Sequence, residues 1–140
     1  LKKIDRGILI HEILSEIKGA VSSGKILDRM VYSGRIAKEE SEEIGELIRK
    51  MFEIGEVKEW FYGKGEHLTE QPPLSKRGTF RPDRVIISGD SATVIDFKTG
   101  RESDSDISQM DGYKSHVKDM GYKDVRGVIF YLSSMKMREV

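Results

Sequence analysis

Apolar residues recur at helical spacing through the first third of the chain. Leu9, Ile10, Ile13, Leu14, Ile17 and Val21 fall on one face of a helix with about 3.6 residues per turn, and Gly19 and Gly24 mark its expected end. A short helical piece is expected from Ile26 to Val31, broken by Ser33-Gly34. A second long helix is predicted from about Ala37 to Phe52, with Ile44, Leu47, Ile48, Met51 and Phe52 on its apolar face. Glu39, Glu40, Glu42 and Glu43 occupy its first turns, where the helix dipole favours anions. The pattern then changes. Pro72-Pro73 excludes a helix interior. Phe80 to Ser88 and Ala92 to Lys98 are rich in Val, Ile and Phe, and Gly89-Asp90 between them is a hairpin signal. Ser103 to Met120 returns to helical spacing through Ile107, Met110 and Val117, with Ser103 and Asp106 as an N-cap arrangement. Val125 to Leu132 reads as a buried strand. Helices, a hairpin, a helix and a strand, in that order, predict an α/β (α+β) fold: a mixed β-sheet flanked by helices.

Composition narrows the function. The chain has 140 residues, the size of one domain, so a single domain spanning 1–140 is expected. Lys and Arg number 24, as do Asp and Glu, so the net charge is zero. That argues against a generally basic nucleic-acid coat and against a polybasic membrane binder. There is no cysteine, which excludes a disulfide scaffold, a thiolate metal site, a cysteine nucleophile and an iron–sulfur cluster. The absence fits a reducing cytosol, and a cytoplasmic, nucleoid-associated location is expected. No apolar run approaches the roughly 18 residues of a membrane span, so no membrane partner is expected. Phosphate-binding and dinucleotide fingerprints are missing: Gly24-Lys25 is followed by Ile26 where Ser or Thr would be needed. His11-Glu12 opens a zinc-protease-like string, but Ser15 stands where the second His must be. No bound nucleotide and no serine-hydrolase chemistry are therefore expected.

The hairpin carries the candidate chemistry. A two-residue turn at Gly89-Asp90 pairs Ser88 with Ser91 and Ile87 with Ala92. Continuing that ladder sets Asp83 opposite Asp96, with Cβ atoms roughly 5 Å apart on one face. Lys98, two residues after Asp96, points to the same face. Facing carboxylates destabilise unless a shared proton, a nearby cation such as Lys98 or Arg84, or a divalent metal offsets the repulsion. An Asp–Lys salt bridge at a strand end is the plainer reading. Val85, Ile86, Ile87, Val94 and Ile95, however, are apolar on both faces, as in doubly covered strands. Carboxylates bordering such a core favour a metal. His11, at the border of the first apolar stripe beside Gly7, reads by itself as a partly buried structural residue. Gln109 and Tyr113, four apart on a helix, read by themselves as ordinary packing.

In order, Gly7-x-x-x-His11-x-x-Leu14, Arg81-Pro82-Asp83-Arg84-Val85, Val94-Ile95-Asp96-Phe97-Lys98-Thr99-Gly100 and Gln109-x-x-x-Tyr113 resemble the four motifs of the RecB-like branch of the PD-(D/E)XK nuclease superfamily. The resemblance implies a restriction-endonuclease-like sheet with helices on both faces. It also implies a divalent-metal-dependent DNA nuclease, an exonuclease module of a DNA recombination and repair helicase-nuclease. By the same resemblance His11, Asp83, Asp96 and the Phe97 backbone carbonyl would ligate Mg²⁺ or Mn²⁺. Asp83, Asp96 and Lys98 would be catalytic, and Gln109 and Tyr113 would hold DNA or order the site. Glu70 lies where some relatives carry an extra acidic residue. Lys98 would either orient the attacking water or stabilise the transition state, and both roles stay open.

Several relatives hold an iron–sulfur cluster on cysteines, which this chain lacks. The wider family fuses the domain to helicase motors, and the start at Leu1 with no ATP motif fits a domain excised from such a chain. DNA, single- or double-stranded, and a covalent or bound helicase motor are the expected partners. Trp60-Phe61-Tyr62 is either a docking patch for that motor or a small core cluster. Lys76, Arg77, Arg81 and Arg84 form either a phosphate-contacting patch or a solvated basic loop. His67 and His116 carry no motif. The competing readings are a catalytically silent DNA- or protein-binding module of the same fold, and an unrelated interaction domain with a salt-bridged hairpin. RNA as substrate also stays open.

Overall fold

The computed structural model describes residues 3–17, 23–69 and 81–140. The chain divides into two compact units, Leu1–Gly63 and Lys64–Val140.

The first unit is helical. It contains α1 (Lys3–Glu16), α2 (Ser23–Tyr32), α3 (Lys38–Phe52) and α4 (Gly55–Tyr62), each packed on the next. The predicted apolar stripes are buried: Leu9, Ile10, Ile13, Leu14 and Ile17; Ile26, Leu27 and Met30; Ile44, Ile48 and Met51. Val21, the predicted end of the first stripe, lies outside the described residues. Gly24 does not end a helix as expected. It sits in the first turn of α2, where the helix has few bonds for a glycine to weaken. Helix α4 was not anticipated, because it is short and follows directly on the turn at Glu53-Ile54. It buries Val57, Trp60 and Phe61. Phe52 meets Phe61 and Tyr62 edge-on, with ring centroids 5.0 and 5.9 Å apart. The aromatic triplet is thus a core cluster at its first two positions, and only Tyr62 is exposed.

The second unit is a five-stranded sheet with one helix packed on it. Its elements are β1 (Glu66–Thr69), β2 (Arg84–Ser88), β3 (Ser91–Lys98), α5 (Asp104–Asp119), β4 (Asp124–Tyr131) and β5 (Lys136–Glu139). The strands lie in chain order, β1-β2-β3-β4-β5. All neighbours are antiparallel except β3 and β4, which are parallel and joined through α5. The sheet is therefore mixed, as predicted, and a parallel neighbour requires a crossover of this kind. The hairpin turn begins at Gly89, whose φ of +60° suits the first central position of a tight hairpin turn.

One face of the sheet carries Val85, Ala92, Val94, Ile129 and Tyr131, and α5 lays Met110, Tyr113 and Val117 against them. Gly127 lets α5 come close: a Cβ there would stand 2.8–2.9 Å from Lys114 and Met110. The other face buries Ile95, Phe97, Val128 and Phe130. Strands β2 to β4 are therefore apolar on both faces, as their sequence implied. Helix α5 opens with the expected capping box. The Ser103 side chain accepts from the Ser105 N–H, and Asp106 accepts from the Ser103 N–H at 3.1 Å.

Candidate functional site

The site grows from the end of the hairpin ladder. The observed register pairs Ser88 with Ser91 and ends at Arg84 opposite Ile95. One step further, the same register sets Asp83 opposite Asp96, and one more sets Pro82 opposite Phe97. Pro82 has no N–H to offer, so β2 cannot continue. The expected strand from Phe80 is cut short for this reason, and Phe80 itself lies outside the described residues. Side chains complete what the backbone drops. The Phe97 N–H donates to Asp83 Oδ2 at 2.7 Å, and the Asp83 N–H donates to Asp96 Oδ1 at 3.3 Å.

These bonds bring the two carboxyls together. Asp96 is 5% exposed and Asp83 is half-buried. Burial pushes the Asp96 carboxyl up to about 7, and the Asp83 charge adds to that; Lys98 opposes both. Lys98 Nζ lies 2.9 Å from Asp96 Oδ2 and donates to Gln109 Oε1 at 2.6 Å. An ammonium only donates, so the Gln109 carbonyl oxygen must face Lys98 and its NH₂ must face away. Asp83, Asp96, Lys98 and Gln109 thus converge on the α5 face at the carboxyl end of β3. Tyr113, one turn after Gln109, is 6% exposed in the apolar cluster under α5. It belongs to the packing that orders α5.

One neighbour was missed in the sequence. Tyr131, at the end of β4, is the register partner of Lys98 and is 1% exposed. Its phenol donates to Asp106 Oδ2 at 2.9 Å. Burial, then the Asp106 bond, pushes the Tyr131 hydroxyl up to about 12. A tyrosine closing a buried strand was the available signal, since a buried phenol needs a partner.

The remaining expected residues fall elsewhere. Arg84 is corrected: it is 1% exposed, so its guanidinium is not part of a surface phosphate patch. Adjacent strand residues point to opposite faces, so Arg84 also leaves the face on which Asp83 lies. Arg81 is exposed two residues before Asp83. Glu70, Lys76 and Arg77 lie outside the described residues. His11 is on α1 of the first unit, half-buried, with Nδ1 donating to the Gly7 carbonyl at 2.8 Å. That bond fixes the neutral ring with its acceptor lone pair on Nε2. His67 is half-buried on β1, where it pairs with Ile86.

Asp83 and Asp96 could hold a hard cation. Two carboxyls meet at a nearly enclosed point with one ammonium beside them, a donor set that suits a divalent ion. Among the described residues, no three His, Asp or Glu side chains form a ready metal cage. No helix among them is long and apolar enough to cross a membrane. No protein-family model matches the chain, and no curated protein matches it in sequence.

Proposed function

We propose that the chain is a divalent-metal-dependent DNA nuclease domain that hydrolyses phosphodiester bonds, with a restriction-endonuclease-like fold. The observation that carries this reading is the convergence of Asp83, Asp96, Lys98 and Gln109 at one end of β3, with Asp96 nearly enclosed. A buried carboxyl held against another is costly, and a salt bridge to a single lysine offsets it only in part. The resemblance of the four motifs to RecB-like nucleases supplies the substrate class, and with it the proposed place beside a helicase motor.

In this reading Asp83 and Asp96 supply oxygen donors for Mg²⁺ or Mn²⁺. The resemblance adds the Phe97 carbonyl, and the ladder turns the Phe97 backbone toward the Asp83 side. His11 enters through the resemblance alone. When bound, the cation lowers the pKa of a water and neutralises developing charge at phosphorus. Lys98 places a positive charge beside Asp96, where it orients that water or stabilises the transition state. Gln109 holds the ammonium through its carbonyl and presents its NH₂ outward as a donor to phosphate oxygen.

The test is cleavage of linear single- and double-stranded DNA in EDTA, Mg²⁺ and Mn²⁺. The expected result is metal-dependent cleavage, lost in Lys98→Ala and in Asp96→Ala. Absence of cleavage together with absence of calorimetric Mn²⁺ binding would overturn the reading. Mn²⁺ binding that needs Asp96, without cleavage, would favour a silent module of the same fold.

A further inference from the structure

Tyr131 is almost wholly enclosed, and its surroundings explain its ring but not its hydroxyl. The ring belongs to the apolar cluster that holds Met110 and Ile129, which a phenylalanine would serve equally well. The hydroxyl reaches Asp106 Oδ2 at 2.9 Å, and the same oxygen accepts from the Ser103 N–H at 3.1 Å. One carboxylate oxygen therefore joins the start of α5 to the end of β4. Gln109 lies three residues after Asp106 on the same helix face. Lys98 lies directly beside Tyr131 on the next strand, with its side chain on the same face. The contacts close a ring: Lys98 to Gln109 at 2.6 Å, Gln109 to Asp106 along one turn of α5, Asp106 to Tyr131, and Tyr131 back to Lys98 through the sheet.

We infer that Tyr131 is a positioning residue: through Asp106 it fixes the first turn of α5 at the height where Gln109 grips Lys98. The kinetic consequence rests on the nuclease reading above, whereas the contact itself rests on geometry alone. Without the phenol oxygen the helix start is held by Ser103, Asp104 and Ser105, all exposed. A small slide of that turn would release Gln109 and leave Lys98 wholly to Asp96.

Two readouts test this in the same variants. The first is the chemical shift of the Gln109 side-chain amide in a ¹⁵N-labelled protein, with Lys98→Ala marking the position when the bond is lost. The second is Mn²⁺-dependent cleavage of linear DNA. Tyr131→Phe and Asp106→Ala should move the amide toward the Lys98→Ala position. They should also lower kcat by about tenfold to a hundredfold with KM nearly unchanged, as displacement of an oriented group does. Ser103→Ala is the control for mere loosening of the helix start. It removes the cap hydroxyl but keeps the Tyr131–Asp106 bond, and should leave the amide in place. An unmoved Gln109 amide in Tyr131→Phe overturns the inference, whatever the kinetics. An amide that moves with kcat unchanged overturns the claim that the grip matters to the chemistry. If the parent protein cleaves nothing, the nuclease reading fails, and the amide shift alone still decides whether Tyr131 positions Gln109.

Discussion

Replacing Asp96 by Asn should make the metal-free protein more stable at neutral and alkaline pH, although it removes a proposed metal ligand. The Asp96 carboxyl is 5% exposed and pushed up to about 7, from 3.8, first by burial and then by Asp83. A carboxyl with a raised folded-state value binds its proton more tightly in the folded chain than in the unfolded one. Its contribution to stability is therefore full below about pH 4, declines as pH rises toward about 7, and is flat above that. The displacement of about three units corresponds to at most about 4 kcal/mol. Loss of the Lys98 counter-ion in the variant reduces the gain, to about 1–3 kcal/mol at pH 8. Urea unfolding in EDTA at pH 5, 6, 7 and 8 gives the measurement. Other carboxylates titrate in both proteins, so the difference between parent and variant isolates Asp96. That difference should grow between pH 5 and 7 and level off by pH 8. A difference independent of pH, or a variant less stable than the parent at pH 8, would refute the reasoning.

On the proposed nuclease reading, Lys98→Met should abolish cleavage while retaining Mn²⁺ binding by calorimetry, because an ammonium cannot ligate a cation. Arg81→Ala should leave stability within about 0.5 kcal/mol, as exposed substitutions do, but weaken DNA binding and flatten its salt dependence. Arg84→Ala should do the reverse and cost about 2–4 kcal/mol in urea unfolding, because it empties a buried position. Gly127→Val should cost about 1–3 kcal/mol or more by the same measurement, since even one added carbon stands within 2.9 Å of Met110.

How much was legible depended on whether a residue's place is set by local periodicity. Asp83, Asp96 and Lys98 could be brought together on paper because strand parity is strict and Gly89-Asp90 fixed the register. The capping box at Ser103 and Asp106 is local in the same sense. The same parity, applied one residue on, would have turned Arg84 away from Asp83; its charge was read there instead of its position. Strands β1 and β5, Glu-His-Leu-Thr and Lys-Met-Arg-Glu, carry no pattern of their own. They are strands because β2 and β4 offer them edges, which is a tertiary cause. The Tyr131–Asp106 bond spans 25 residues of sequence and depends on how the crossover helix lands, which no window of sequence contains.

The position of the carboxyl pair follows from a conflict between local and global demands. Strands β3 and β4 are apolar on both faces, which calls for apolar residues to their ends. Asp96 breaks that pattern inside β3, next to Phe97 and one residue after Ile95. The fold offsets the break with named groups: the Asp83 N–H on Asp96, the Phe97 N–H on Asp83, and Lys98 braced by Gln109. Pro82 is part of the same device, because ending β2 there frees the Asp83 side chain to take the place of a ladder partner. The offset is incomplete, since burial and the Asp83 charge still push the Asp96 carboxyl well above the usual carboxylate range. If a single Asp96→Asn change relieves that cost, the carboxyl does not serve the stability of the sheet, which is the outcome the proposed cation site requires.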